Sequence, residues 1–267
     1  MDKTLLKGLS VLEAIVEYRG EARLLDEIAA QVGLTRSNAH RTLQTLMHAG
    51  YVERDLVKGG YRGTMKVFAL GVRQLGGMDV RKAAPAQMAV LARETGETIH
   101  LSVLDGSDVI YIDKIDSDQP IRAYSIVGGR APGHAVATGK ALLSAQSAEW
   151  LDALPQQLPR HTAATIVDRE ALKAELARAA RQGFAINRGE WRDGVGGLAA
   201  PVFDGFGRPV AALGISGPLD RLTPMRMRSL APRVVEAAAQ VSQSLGAQRI
   251  GPPGAASRAG VPRTGAR

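Results

Sequence analysis

Residues 24–63, LLDEIAAQVGLTRSNAHRTLQTLMHAGYVERDLVKGGYRG, decide how the first part of the chain folds. The stretch begins with apolar side chains at the three- and four-residue spacing of a helix: Leu24, Leu25, Ile28, Ala29 and Val32. That spacing predicts an amphipathic helix. Gly33 is expected to end it, because glycine accepts the positive φ of a helix C-terminus, and Thr35 is a favourable N-cap for a second helix.

The second helix has two chemically different faces. Its apolar side carries Ala39, Leu43, Leu46 and Met47, and we expect this side to pack on the first helix. The start of the helix and its polar side supply side chains that can reach phosphates and base edges: Thr35, Arg36, Ser37, Asn38, His40, Arg41 and Gln44. Arg36 and Arg41 are the main candidates for DNA contacts.

A basic hairpin is predicted to follow. Residues 51–54 and 61–62 have the composition of short strands, and the loop between them holds two glycines that suit a tight turn. Arg54, Lys58 and Arg62 make this hairpin a candidate phosphate-contacting wing. Each part alone is also typical of an ordinary solvated surface. Helix, glycine turn, capped basic helix and basic hairpin in this order, however, indicate a winged helix-turn-helix that binds double-stranded DNA.

The charge balance supports DNA binding only in part. The net charge is +8 and the isoelectric point is about 10.0, which favours a nucleic-acid partner. The last part of the chain, however, contributes four of these charges through Arg249, Arg258, Arg263 and Arg267. In residues 1–63 basic side chains barely outnumber acidic ones. We therefore expect affinity to come from where the charges are placed.

Length and composition bound the remaining possibilities. A chain of 267 residues can form two domains with separate cores. It has no cysteine, which excludes disulfides and thiolate metal sites. The N-terminal segment lacks the apolar run of a signal peptide and is expected to be an amphipathic helix with Leu5, Leu9, Leu12 and Val16 on one side. We predict a cytoplasmic protein without a membrane partner.

The sequence indicates four regions. Residues 1–63 form the winged helix-turn-helix domain, and residues 64–78 form a linker helix that ends at two glycines. This helix fits both a packing site for a second copy and an ordinary linker. Residues 79–245 form the second domain. Residues 246–267 are rich in Gly, Pro, Ala and Arg and are predicted to be disordered.

The second domain has hairpin strands with helices set apart from them. Strands are predicted at residues 98–104, 108–115, 121–126, 184–187, 197–203 and 209–216, and helices at residues 84–95, 137–145, 169–182 and 223–245. This order is typical of an α+β domain with an antiparallel sheet, and it does not favour a doubly wound parallel sheet.

Several motifs in this domain resemble the isocitrate lyase regulator (IclR) family. They are GETIHLSVL at residues 96–104, YIDK at 111–114, HA with TGKA at 134–141, and AAPV through AA to ISGP at 199–218. The resemblance covers residues 3–245. It implies a GAF-like domain that binds a small metabolite, often an organic acid, and changes the binding of a dimer or dimer of dimers to operators at catabolic genes.

Carried over position by position, the resemblance implies an effector pocket formed by seven residues: Ala137, Thr138, Asn187, Val195, Gly197, Gly214 and Ser216. The family often has an acidic residue at position 187, a cysteine at 197 and a hydroxyl residue at 214. We therefore expect a wider, less polar pocket and an effector larger than a two- or three-carbon keto acid. Backbone N–H groups near Thr138 and Gly139 are candidate carboxylate contacts.

Other interpretations of these residues stay open. The glycines equally suit turns and close packing, and Asn187 or Ser216 equally suit local backbone hydrogen bonds. His134 fits a structural role as well as a ligand contact.

An enzyme is the competing class of function, and no sequence motif supports it. The chain has no P-loop, no dinucleotide-binding glycine pattern, no nucleophile elbow and no His-Glu-x-x-His zinc motif, so no cofactor or metal is expected. A winged helix that binds only proteins is the remaining alternative, and the Arg-bearing helix disfavours it. We predict a homodimer or homotetramer on a pseudo-palindromic operator.

Overall fold

The computed structural model describes residues 1–17, 21–57, 59–76 and 79–247, with the side chains of residues 72–76 left out. Contacts between residues divide the chain into two compact units, Met1–Gly77 and Met78–Arg267. Lys58 of the predicted wing and residues 248–267 of the predicted tail lie outside the described residues. No helix in the described ranges is long and apolar enough to cross a membrane.

The first unit contains the predicted winged helix-turn-helix. Its elements are α1 (Lys3–Val16), α2 (Leu25–Gln31), α3 (Arg36–His48), β1 (Val52–Arg54), β2 (Tyr61–Gly63) and α4 (Met65–Gly76). The two strands pair antiparallel, with Glu53 opposite Arg62. The predicted linker helix corresponds to α4.

The turn between α2 and α3 forms for the reasons predicted. Gly33 has a φ of 65°, in the left-handed region that glycine adopts without steric cost. The Thr35 hydroxyl accepts a hydrogen bond from the Asn38 backbone N–H at 3.4 Å, so it caps α3.

One core holds the first unit together. Its fully buried side chains come from three helices and both strands: Val11, Ile15, Ile28, Leu43, Val52 and Tyr61. Leu46 and Met47 pack against this cluster and Ala39 is fully buried, so the apolar face predicted for α3 is confirmed.

The N-terminal helix forms as predicted, but the side that carries Leu5, Leu9 and Val16 is not its buried side. Leu5, Leu9 and Val16 are 62%, 47% and 43% exposed, whereas Val11 and Ile15 are at most 1% exposed. The sequence of α1 carries apolar residues around most of its circumference, so periodicity could not select the side that is buried. The structure leaves the predicted stripe on the surface of this unit.

The second unit is built on a six-stranded sheet. The strands are β3 (Thr98–Asp105), β4 (Asp108–Ile115), β5 (Arg130–Pro132), β6 (Ala185–Arg188), β7 (Val195–Phe203) and β8 (Pro209–Pro218). Their order is β5-β4-β3-β8-β7-β6, and every neighbouring pair is antiparallel. The predicted α+β class is confirmed.

Helices cover both faces of this sheet. They are α5 (Asp79–Ala83), α6 (Pro85–Thr95), α7 (Ala137–Leu143), α8 (Ala148–Asp152), α9 (Arg169–Gln182) and α10 (Pro224–Ser244). Gly196 of β7 lies against Met227 of α10, whereas the next residue, Gly197, lies against Ala137 of α7. Because side chains alternate along a strand, α7 and α10 pack on opposite faces.

The strand predicted at residues 121–126 is wrong, and the edge strand is β5. The β4 edge at Tyr111 instead pairs with a turn: the Gly128 N–H donates to the Tyr111 carbonyl at 2.7 Å, and the Tyr111 N–H donates to the Gly129 carbonyl at 3.0 Å. The preceding segment is held through Ser125, whose hydroxyl contacts His100 Nε2 at 2.7 Å and whose carbonyl accepts from Lys114 at 2.8 Å.

Truncating the core contact of α3 should loosen the first unit. Leu43→Ala removes a fully buried side chain, and we expect it to lower the free energy of opening of α3 by about 2–5 kcal/mol. Leu56→Ala, at a 92% exposed position, should change it by less than about 0.5 kcal/mol. Hydrogen exchange of α3 amides in the full chain measures both. Equal effects would contradict the packing described here.

Candidate functional site

The first candidate site is the exposed face of α3. Arg36, Ser37, His40, Arg41 and Gln44 are all exposed, and Asn38 is half-buried near the Thr35 cap. The helix therefore presents most of the residues predicted to contact DNA on its surface, while Leu43 and Ala39 anchor its other side.

Acidic and amide side chains hold several of the predicted DNA-contacting arginines. Arg36 forms an ion pair with Asp26 of α2. The Arg41 guanidinium donates to the Asn38 side-chain oxygen at 3.2 Å. In the wing, Arg62 Nε donates to Glu53 Oε1 at 2.7 Å across the hairpin. These exposed groups are thereby oriented before any ligand binds.

The second candidate site is a small cavity of about 50 Å³ at the start of α7. The structure brings together six of the seven residues predicted for the effector pocket: Ala137, Thr138, Asn187, Val195, Gly197 and Ser216. They come from α7, β6, β7 and β8, which shows how segments far apart in sequence form one wall.

Gly214 does not border this cavity, which corrects its predicted place. A Cβ atom at Gly214 would lie 2.6 Å from the Ala199 Cβ and 2.7 Å from the Leu198 carbonyl oxygen. The position is closed by the neighbouring strand, so its glycine serves close packing. The expected gain in volume is therefore not present in this conformation.

Eight further lining residues escaped the sequence prediction, and five of them are aromatic or charged. His100 and Tyr111 come from β3 and β4, Tyr124 comes from the irregular segment before β5, and Trp191 and Arg192 follow β6. In the sequence, Trp191 and Arg192 lie between Asn187 and Val195, which were both predicted to line the pocket. An aromatic and a cationic residue between two predicted pocket residues were the signal that could have identified them.

Three polar atoms in the cavity wall are available to a ligand. The Thr138 hydroxyl, the Asn187 side-chain nitrogen and the Tyr111 hydroxyl have no protein hydrogen-bond partner within the described residues. Asn187 Oδ1, by contrast, accepts from the Glu190 backbone N–H at 2.9 Å, and the Ser216 hydroxyl donates to the Gly196 carbonyl at 3.1 Å. Asn187 is thus oriented with its donor atom unused.

The cavity has one charged side chain among its described lining residues. The Arg192 guanidinium lies 4.4 Å from the centre of the Trp191 ring. Burial, aided by Lys114, lowers the pKa of His100 to about 4, so this imidazole is neutral at pH 7. Burial raises the pKa of Tyr111 to about 12, although Arg192 acts in the opposite direction. The wall therefore carries one positive charge and no negative one.

A buried ion pair positions the two sides of the cavity. Lys140 of α7 is 1% exposed, and its Nζ lies 2.7 and 2.8 Å from the two carboxylate oxygens of Glu190. Glu175 lies 3.6 Å away as a second carboxylate. Burial raises the pKa of Glu190 even though Lys140 opposes the shift. The pair joins α7 to the segment that carries Trp191 and Arg192.

His134 is placed outside this cavity. Its Nε2 donates to the Pro159 carbonyl at 3.0 Å, as expected for the structural role. No cluster of three or more potential metal ligands occurs in the part of the chain that the structure describes.

The buried neutral state of His100 predicts a pH-dependent stability. Its folded pKa of about 4 lies below the ordinary value of 6.5, so the unfolded chain binds more protons between these values. The stability that the neutral His100 contributes is fully present above pH 6.5 and is lost as the pH falls towards 4. The free energy of unfolding should therefore fall by about 2 kcal/mol between pH 7 and pH 5.

Urea unfolding followed by tryptophan fluorescence measures this change, because both tryptophans lie in the second unit. His100→Gln should reduce the pH dependence by that amount, whereas His48→Gln, at an exposed position, should leave it unchanged. An unaltered pH dependence in His100→Gln would argue against a buried neutral imidazole.

Family comparisons agree with both units. Residues 4–56 match the IclR helix-turn-helix domain, and residues 72–243 match the bacterial transcriptional regulator IclR C-terminal domain. The regulator KdgR of Escherichia coli is 35% identical over 245 residues, which cover 91% of this chain and 92% of KdgR. XynR of Escherichia coli is 34% identical over 242 residues, covering 90% and 96% of the two chains.

A solved structure extends the likeness to three dimensions. The crystal structure of an IclR homolog of Microbacterium hydrocarbonoxydans, complexed with 4-hydroxybenzoate, has a TM-score of 0.79 and 27% identity, covering 91% of this chain and 99% of that one. Sequence, fold and domain order agree: the chain belongs to the IclR family of DNA-binding, ligand-responsive transcriptional regulators, and not to an enzyme family.

Proposed function

We propose that this regulator binds a pseudo-palindromic operator at catabolic genes as a homodimer or dimer of dimers, and that a small organic acid in the α7 cavity changes this binding. The site of action is the cytoplasm, where bacterial DNA lies. Among the described residues that line the cavity, Arg192 is the one with a guanidinium and none is acidic; this observation carries the effector class.

DNA contact is assigned to the exposed face of α3 and to the wing. Arg36, Arg41 and Gln44 face solvent together, and a helix that enters the major groove places such residues on base edges. Arg54, Lys58 and Arg62 are assigned to the flanking backbone. The ion pairs of Arg36 and Arg62 are exposed and therefore weak, so phosphate oxygens can replace the carboxylates.

Dimer formation is supported by apolar surface on the first unit. Leu5 and Leu9 of α1 and Phe68 of α4 are 62%, 47% and 62% exposed. Large apolar side chains at such positions are stabilised when a second copy covers them. Two-fold symmetry then presents two α3 helices to successive major grooves, which explains a pseudo-palindromic site.

The effector is assigned from the chemistry of the cavity wall. Arg192 supplies a positive partner for a carboxylate, and Thr138 and Asn187 supply hydrogen-bonding groups at the start of α7. Tyr124 and Trp191 provide aromatic surface. A volume of about 50 Å³ is too small for a benzoate-sized acid, so the exposed Tyr124 and Arg192 side chains must move to admit one.

Effector binding acts on DNA through the two arrangements of the winged modules in the dimer. The acid shifts the balance between them only by its difference in affinity for the two states. The α4 helix is the covalent path between the winged module and the cavity.

Removal of one recognition-helix arginine should weaken operator binding. For Arg41→Ala we expect a loss of about 1–3 kcal/mol that is concentrated at one base pair if Arg41 reads a base. If it contacts phosphate, the slope of affinity against salt should fall by about one instead. Mobility shifts with DNA from upstream of the protein's own gene, with competitor DNA, distinguish these results.

The matched control is Arg181→Ala, which removes an exposed arginine of the second unit and should leave both measurements unchanged. An Arg41→Ala protein with native affinity, sequence preference and salt dependence would refute the assignment of α3. Lack of specific DNA binding by the unmodified protein would favour a protein-interaction module.

Loss of the cavity cation should weaken acid binding. We expect Arg192→Gln to reduce the affinity for the acid that alters operator binding by about 10-fold or more, because a charge-assisted hydrogen bond is lost. Calorimetric titration over a panel of aromatic and aliphatic carboxylates measures this, with the matching carboxamides as uncharged references. Arg188→Gln, an exposed arginine outside the cavity, is the control; an equal loss in both variants would exclude a specific role for Arg192.

A further inference from the structure

A second and larger cavity lies in the same unit, between the edge strand β5 and the loop of residues 154–161. Its volume is about 420 Å³, whereas a cavity of about 150 Å³ already holds a benzene ring. We propose that this cavity is a second small-molecule site, which binds an uncharged hydroxylated aromatic compound of the phenol type and is distinct from the acid site at α7.

Its walls suit a flat, apolar ring. Leu143, Leu154 and Leu158 form a buried apolar floor. The rings of Pro155 and Pro159 and the indole of Trp191 supply rigid surfaces around it. Rigid apolar walls with a few polar groups are typical of small-molecule sites.

The charges of this cavity do not favour an acid. Arg130, the arginine among the described residues that line it, donates to Asp105 at 2.6 Å and lies 3.9 Å from Asp108. The guanidinium is therefore already neutralised, and Asp108 itself borders the cavity. This arrangement differs from the α7 cavity, where Arg192 has no carboxylate among the lining residues. An uncharged ligand fits the second cavity better than an anion.

One buried side chain offers a directional contact. His134 is 6% exposed, and its Nε2 must carry a hydrogen because it contacts the Pro159 carbonyl at 3.0 Å. Burial lowers the pKa of His134, which favours the neutral ring. In that tautomer Nδ1 is an acceptor, and it has no protein partner within the described residues. A phenolic hydroxyl is a suitable donor to it.

The two cavities share the Trp191 side chain. The loop beside the second cavity continues to Thr162 and Thr165, whose hydroxyls donate to the carbonyls of Gly189 and Glu190 at 2.7 and 2.6 Å. These hydrogen bonds hold the segment that carries Trp191 and Arg192. A ligand in the second cavity therefore has a direct contact path to the acid site.

Titration of the full chain with phenol and, separately, with benzoate tests the assignment. His134→Phe removes the acceptor and Pro155→Phe fills the exposed mouth of the cavity. Both should weaken phenol binding by about 10-fold or more. Gln156→Phe, which places the same ring at an exposed position of that loop outside the cavity lining, and Arg192→Gln should leave it within about two-fold. In Trp150→Phe, where Trp191 is the remaining tryptophan, phenol should change the emission.

Three results would overturn the proposal. The first is that the unmodified protein does not bind phenol. The second is that Arg192→Gln abolishes phenol binding while Pro155→Phe retains it. The third is that Trp191 emission does not change at saturating phenol. If His134→Phe fails to fold, Pro155→Phe against Gln156→Phe decides alone. Failure of benzoate to bind, with phenol behaving as expected, would count against the proposed effector class and leave the second site in place.

Discussion

The ligand-binding unit depends on the buried contact between Lys140 and Glu190. Burial of an ammonium and a carboxylate carries a large desolvation cost, which is offset only while both partners remain in contact. Distances of 2.7 and 2.8 Å with 1% exposure meet that condition. The pair fixes the start of α7 against the segment between β6 and β7. Because both elements line the α7 cavity, this contact holds two parts of its wall in place.

The DNA-binding unit uses charge in the opposite way. Arg36, Arg41 and Arg62 are exposed, and each has a polar partner beside it: Asp26, Asn38 and Glu53. Exchange of such partners for phosphate has a low free-energy cost. These weak pairs therefore orient the arginine side chains and still allow them to exchange their partners for phosphate. One chain thus joins a sensor that relies on buried, permanent pairing to a DNA-binding surface that relies on exchangeable pairing.

The sequence predicted the elements that depend on interactions between residues close together in the chain. Gly33 and Thr35 determine the turn of the winged module, and the α3 faces follow from helical periodicity. Sequence could not predict features that depend on contacts between distant segments. The buried side of α1 is one, because its apolar residues surround most of the helix. Residues 121–126 are another, because side-chain contacts with His100 and Lys114 hold this segment instead of strand pairing. In the cavity, His100 and Tyr111 were missed because their place beside α7 depends on the sheet order, which no local pattern contains.

We propose that an organic acid binds beside Arg192 and thereby changes operator binding. A crystal structure of the full chain with an acid that alters the mobility shift tests it most directly. We expect the carboxylate to lie within hydrogen-bonding distance of Arg192 or Thr138, with Tyr124 and Arg192 displaced to enlarge the cavity. An active acid bound elsewhere on the chain, with the α7 cavity unchanged, would contradict it.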